Sequence, residues 1–176
     1  MVPLQDEALR VKRGEVDAFA DIVKATSAQL VRVAARIVSD MAEAEDVVQE
    51  SYVSAFQALT EGLFDGRSSV MTWLRRIVVN RSMDALRSRR RRPRLDDTKI
   101  EVNWSGASSI ETGVALSEMN IWMQALSPEQ RVALVLSVME GMSNAEIAES
   151  LGCSEGAVEQ RLVRARVTLR QRSQGQ

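Results

Sequence analysis

Histidine is absent from this 176-residue chain. With it go the commonest general base and the commonest metal ligand. A Ser-His-Asp triad, a zinc finger and a His-based hydrolase are therefore excluded. Cysteine occurs once, as Cys153, which rules out an internal disulfide. Aromatics make up only 4% of the residues, so the core is expected to be aliphatic. Nine glycines and three prolines are too few for a turn-rich β sandwich. No apolar run approaches the roughly 18 residues needed to cross a bilayer, so no membrane insertion is expected. The start, MVPLQDEALRVKRGEVD, lacks the apolar stretch of a signal peptide, which predicts a cytoplasmic chain. The sequence implies no cofactor and no metal.

What is abundant is charge, and its arrangement matters more than its sum. With 23 basic and 24 acidic residues the net charge is −1, which by itself argues against a nucleic-acid ligand. The residues are strongly segregated. Ile37 to Gly66 holds seven acids and no base; Arg75 to Arg94 holds nine arginines and one acid, Asp84. Asp96 to Glu159 holds eleven acids against Lys99 and Arg131; Gln160 to Arg172 holds five arginines and no acid. Solvated helix faces account for most single charge runs. Two blocks whose bases are all arginine point instead to two contact sites for an anionic ligand, and the acidic blocks to basic protein partners.

The hydrophobic period is helical nearly throughout. Phe19, Ile22, Val23, Leu30, Val33, Ala34 and Ile37 define a helix over 15–38. Asp40, with Glu43 three residues on, caps the next. There Val47, Val48, Ser51, Tyr52, Ala55, Phe56 and Leu59 share one face, and Asp46, Gln49, Glu50 and Val53 the other. EGLFDGRSS (61–69) has two glycines and no period, so it reads as a loop. Ser69 can cap a third helix from Val70 to Arg91, with Val70, Trp73, Leu74, Ile77, Val78, Arg81 and Ala85 in a buried arc. Arg76, Asn80, Met83 and Arg87 form a separate outward stripe. Pro93 ends the helix, and residues 93–112 read as a linker with Trp104 as a local anchor. A helical pattern resumes from Glu111 to Ala125.

Two capping boxes follow, at Ser127-Pro128-Glu129-Gln130 and Ser143-Asn144-Ala145-Glu146. The first opens a helix expected to bury Val132, Leu134, Val135, Leu136, Val138 and Met139, closed by Gly141. The second opens a short helix with Ile147, Ala148 and Leu151 inward. Gly152-Cys153-Ser154 is a tight turn, with Cys153 read as a small buried hydrophobe. The last helix, to about Arg170, turns Val158, Leu162, Ala165 and Leu169 inward, and Gly156, Ala157, Gln160, Arg161, Arg164 and Thr168 outward. Short helix, glycine turn and longer basic helix make a helix-turn-helix pattern. Glutamine suits bidentate contact with adenine, and arginine suits guanine or phosphate.

These stretches, taken in order, resemble the extracytoplasmic-function group of bacterial sigma factors, the promoter-specificity subunits of RNA polymerase. AEAEDVVQESYVSAFQAL (42–59) looks like the family's second-region helix. FDGRSSVMTWLRRIVVNRSMDALRSRRRR (64–92) looks like its −10-engaging stretch, and ALSPEQRVALVLSVMEGMSNAEIAESLGCSEGAVEQRLVRARVTLR (125–170) like its −35-engaging helix-turn-helix. The resemblance implies an all-α fold of two helical domains joined by a flexible linker. Residues 1–92 would bind core polymerase and the −10 element, 93–112 would be the linker, and 113–176 would bind the −35 element. It implies that Asp46, Gln49 and Glu50 dock on core polymerase. Phe64, Asp65, Gly66, Arg67 and Ser68 would capture an unstacked −10 base, with Arg76 and Asn80 facing the same DNA. Ser154, Ala157, Glu159, Gln160, Arg161 and Arg164 would meet the −35 element. The implied partners are core RNA polymerase, promoter DNA and an anti-sigma factor. Glu159 stands where relatives commonly carry a base, Gln160 where a small hydroxylic residue is common and Ala157 where threonine is frequent. The −35 sequence therefore does not transfer from them.

Two other readings fit the residues. One is a helix-turn-helix regulator that binds a palindrome as a dimer. The other is a helical interaction protein, which leaves the arginine blocks unexplained. An enzyme would need carboxylate pairs or one of Lys12, Lys24 and Lys99.

Overall fold

The computed structural model describes residues 4–91 and 122–174. The expected linker, Trp104 and most of the helix expected from Glu111 lie outside the described residues. Every regular element among the described residues is helical. The chain divides into two compact units, Met1–Asp84 and Ala85–Gln176, and the division falls within one long helix.

The first unit is built on α1 (Gln5–Lys12), α2 (Ala18–Val38), α3 (Met41–Thr60) and most of α4 (Val70–Arg91). Helix α2 ends where Ser39 turns left-handed (φ 60°) and its N–H bonds the Ala35 carbonyl at 2.8 Å. Asp40 then caps α3 by accepting from the Glu43 N–H at 2.9 Å. Ile22, Leu30, Val33 and Ile37 of α2 and Val47, Val48, Ala55 and Leu59 of α3 are buried where these helices pack together. Phe19 meets Tyr52 and Phe56 edge-on, with centroids 6.0 and 5.2 Å apart. Thr26 donates to the Ile22 carbonyl at 2.7 Å, which leaves the Tyr52 hydroxyl to donate to Thr26 Oγ1, also at 2.7 Å.

Helix α1 was not expected from the sequence. It has eight residues, of which Ala8 and Val11 are buried, and it packs on α2 and α3. So short a helix gives little periodic signal and depends on tertiary contacts. Helix α4 matches its expected bounds, and Ser69 accepts from the Thr72 N–H at 3.1 Å to start it. Its buried face differs in detail. Val70, Leu74 and Val78 are buried, but so are Val79, Ser82, Met83 and Leu86. Met83, expected on the outward stripe, is only 8% exposed. The run 79, 82, 83, 86 keeps helical three-and-four spacing, so the buried stripe turns around the helix axis along its length. Arg81, expected in the buried arc, is half-exposed.

The second unit holds α5 (Pro128–Leu134), a π-helical segment (Val135–Met139), α6 (Asn144–Leu151) and α7 (Glu155–Gln174). Both capping boxes form. Ser127 N–H donates to Gln130 Oε1 at 2.9 Å, and Ser143 N–H to Glu146 Oε2 at 2.8 Å. Gly152, left-handed at φ 60°, closes α6, and Ser154 accepts from the Ala157 N–H at 3.2 Å. Val132, Leu136, Ile147, Val158, Leu162 and Ala165 form the core. Two expectations are corrected: Val138 is 66% and Met139 40% exposed. The π segment is the reason. The Glu140 N–H reaches back five residues to the Val135 carbonyl (3.2 Å), and this wider turn alters the angular register of the residues in it.

Candidate polymerase and nucleic-acid interfaces

On α3 the side away from the core carries Asp46, Gln49, Glu50 and Val53, all exposed. The carboxylates follow from helical spacing, since positions 46, 49, 50 and 53 recur at three and four. Val53, 59% exposed, sets an apolar surface among them. Glu50 does not stand alone. Arg81 Nη1 lies 2.7 Å from Glu50 Oε2, and Arg81 Nη2 donates to Ser54 Oγ at 2.6 Å. The sequence reading missed this link because residues 31 positions apart share no periodic signal.

The loop at 61–69 is shaped by its own side chains. Asp65 Oδ1 accepts from the Arg67 N–H at 3.0 Å, and Arg67 Nε lies 3.4 Å from Asp65 Oδ2. The Asp65 carboxylate therefore folds the loop, with Gly66 left-handed beside it (φ 72°). The Phe64 ring sits 4.8 Å from that of Trp73. A cleft of about 210 Å³ opens between this loop and α1, lined by Gln5, Leu9, Lys12, Leu59, Phe64 and Asp65 among others. Gly62 is left-handed too (φ 73°), and a Cβ there would come within 3.2 Å of Lys12 Cε. Of the remaining loop residues named from the sequence, Arg67 is exposed and Ser68 half-buried; on α4, Arg76 is exposed and Asn80 half-buried.

Just before α7, Ser154 is exposed; on the helix, Glu159, Gln160 and Arg164 are exposed, and Ala157 and Arg161 half-buried. Arg161 is drawn back toward the turn, where its Nη1 lies 3.2 Å from Cys153 Sγ. Cys153 is correspondingly half-exposed rather than a buried core residue. Arg131, which the sequence offers only as an isolated base, is 3% exposed and donates from Nε to the Met123 carbonyl at 3.0 Å. Burial pushes its guanidinium down to about 10, so it stays charged at neutral pH. It belongs to the packing of the second unit and not to its surface.

Comparison with known proteins assigns both units. The Sigma-70 region 2 model matches residues 22–92, and the Sigma-70, region 4 model residues 123–169. The RNA polymerase sigma-H factor of Pseudomonas aeruginosa is 34% identical over 92% of this chain and 90% of its own. The ECF RNA polymerase sigma-E factor of Escherichia coli is 32% identical over 93% of this chain and 91% of its own. Among solved structures, CnrH in complex with the cytosolic domain of CnrY superimposes with a TM-score of 0.67 at 27% identity, covering 96% of this chain and 95% of that one. The sigma factor RpoE of Bartonella quintana, in complex with the anti-sigma factor NepR, gives 0.64 at 25% identity, covering 87% and 94%. A chain whose regular elements are helical throughout the described residues, whose arginine-bearing helices fall within regions 2 and 4 in that order, and whose similarity runs nearly end to end, belongs to the sigma-70 family of RNA polymerase sigma factors, in its extracytoplasmic-function group.

Proposed function

We propose that this sigma factor docks on core RNA polymerase through the α3 face of Asp46, Gln49 and Glu50. It then directs initiation by holding a melted −10 strand against the 61–69 loop and α4, and a −35 duplex against α7. Residues 1–92 form the first functional domain and 113–176 the second, joined by 93–112. The observation that carries this reading is the separation of charge between helices. The docking face on α3 is carboxylate and amide around one exposed valine, whereas α4 and α7 carry the arginines. Phosphate contacts need such cations, and a protein interface does not. Phe64, Asp65, Gly66, Arg67, Ser68, Arg76 and Asn80 serve the −10 strand. Ser154, Ala157, Glu159, Gln160, Arg161 and Arg164 serve the −35 element, with Arg161 leaving Cys153 to do so.

The chain itself carries out no bond chemistry and acts in the cytoplasm, where the polymerase is. The solved relatives bound to CnrY and to the anti-sigma factor NepR support an anti-sigma factor as its third partner. Run-off transcription with purified core polymerase over a promoter library tests the reading. The expected result is transcripts from a restricted promoter set only when both proteins are present. Transcription without promoter selection would contradict it.

A further inference from the structure

We propose that Arg81 is a positioning residue for polymerase docking: from α4 it holds the Glu50 carboxylate in place on the docking face of α3. This rests on the assignment of Asp46, Gln49 and Glu50 to that face, and adds to it a residue from a second helix.

Arg81 reaches α3 at two points one helical turn apart. Its Nη1 donates to Glu50 Oε2 at 2.7 Å and its Nη2 to Ser54 Oγ at 2.6 Å. Positions 50 and 54 are neighbours on a helix surface, so one planar guanidinium spans both. Each end of the link is rooted in the core. Val78, Val79 and Ser82 are buried around Arg81 on α4, and Val47, Ser51 and Ala55 around Glu50 on α3. Both backbones are therefore fixed, and the link acts on the side chains.

A glutamate on a helix surface samples several rotamers and loses that freedom when a partner binds it. Arg81 removes part of this cost before docking. The pair still leaves 67% of the Glu50 side chain exposed, against 38% for Arg81, so the face presents the carboxylate more than the guanidinium. A carboxylate accepts on both oxygens, and with Arg81 on Oε2 a donor of the polymerase can approach Oε1. The opposing effect is partial neutralisation of Glu50. Between exposed groups water and salt screen that attraction, so positioning outweighs it. Lysine could supply the charge but not the two-point hold, because an ammonium is a point donor without the flat fork.

The test titrates core polymerase with the full chain, in competition with another sigma factor. Arg81→Met, which keeps an apolar stem, should weaken association about three- to tenfold. In a Glu50→Ala background the same change should have no further effect. Arg81→Lys should weaken association as Arg81→Met does. Thermal melting checks that each variant folds as the wild type does. A role for Arg81 in the fold alone would weaken association equally in both backgrounds, and would overturn the proposal. So would tighter association of Arg81→Met, which would make Arg81 a mask over Glu50, or wild-type association of Arg81→Lys, which would make charge sufficient. Preassembled Arg81→Met holoenzyme should bind fork promoter DNA as the wild type does. A loss there with association unchanged would make Arg81 a phosphate contact instead. Glu50→Ala separates the two levels. Should it assemble as the wild type does, the docking assignment of Glu50 fails and the proposal with it. Should it weaken assembly while Arg81→Met does not, the positioning alone is wrong.

Discussion

Tyr52 is the one tyrosine of the chain, and it sits at the buried meeting of α2 and α3. Burial pushes its phenol above the usual range, and the hydrogen bond with Thr26 offsets this only in part. A folded-state pKa above the unfolded one favours the protonated form. Its contribution to stability is therefore complete below the ordinary phenol value of about 10 and is lost as pH rises through the folded value. Tyrosinate absorbance should titrate at a higher pH in the native chain than in denaturant, and Tyr52→Phe should flatten the fall in melting temperature above about pH 10. A native titration at the denatured value would contradict this. Arg164 poses a different question at the same scale. It is exposed on α7, and if it reads a base edge, Arg164→Ala should cost roughly 1–3 kcal/mol on the cognate −35 sequence alone. Equal losses on all sequences, measured by fork-DNA competition with holoenzyme, would mark it as a phosphate contact. Residue type alone ranks these arginines poorly. Arg164 is exposed, Arg161 leans on Cys153, Arg131 is packed inside and Arg81 holds Glu50. Each of those fates depends on a neighbour that periodicity does not name.

Helices were legible where their signals are local. Asp40, Ser127 and Ser143 cap where the sequence placed them, because a cap is a relation among four consecutive residues. The outward face of α3 was legible for the same reason, as a fixed angular spacing. The faces that went astray needed distant information. The turning stripe of α4 brought Met83 inside, and the π segment put Val138 and Met139 outside. Helix α1 was invisible because few of its residues are apolar, and the cleft beside it was invisible with it. The α3 face carries its own prediction. Glu50→Arg with Gln49→Ala should weaken association with core polymerase roughly tenfold or more, read by pull-down or by competition with another sigma factor. The fold should change little, since an exposed ion pair such as Glu50–Arg81 contributes about 0–1 kcal/mol. Unchanged assembly would remove α3 from the docking interface.

For the molecule as a whole, the near-zero net charge sets how it meets DNA. Its arginines are concentrated on α4 and α7, but the acids spread over the rest of the chain repel phosphate within about a Debye length. The free protein should bind promoter duplex no more tightly than about 10⁻⁶ M at physiological salt, the strong end of non-specific binding. Fluorescence anisotropy with and without core polymerase measures this, and tight binding by the protein alone would favour a stand-alone regulator. The family and the order of its two regions were legible at this scale because several separate motifs had to agree. The two units also differ in their rarest residues. The sole phenol lies buried in the first, and the sole thiol lies half-exposed in the second, against the guanidinium of Arg161. Each half thus carries a private optical or chemical label. Tyrosinate absorbance follows one and thiol reactivity the other, so the unwinding or engagement of either can be watched in the intact, unaltered chain.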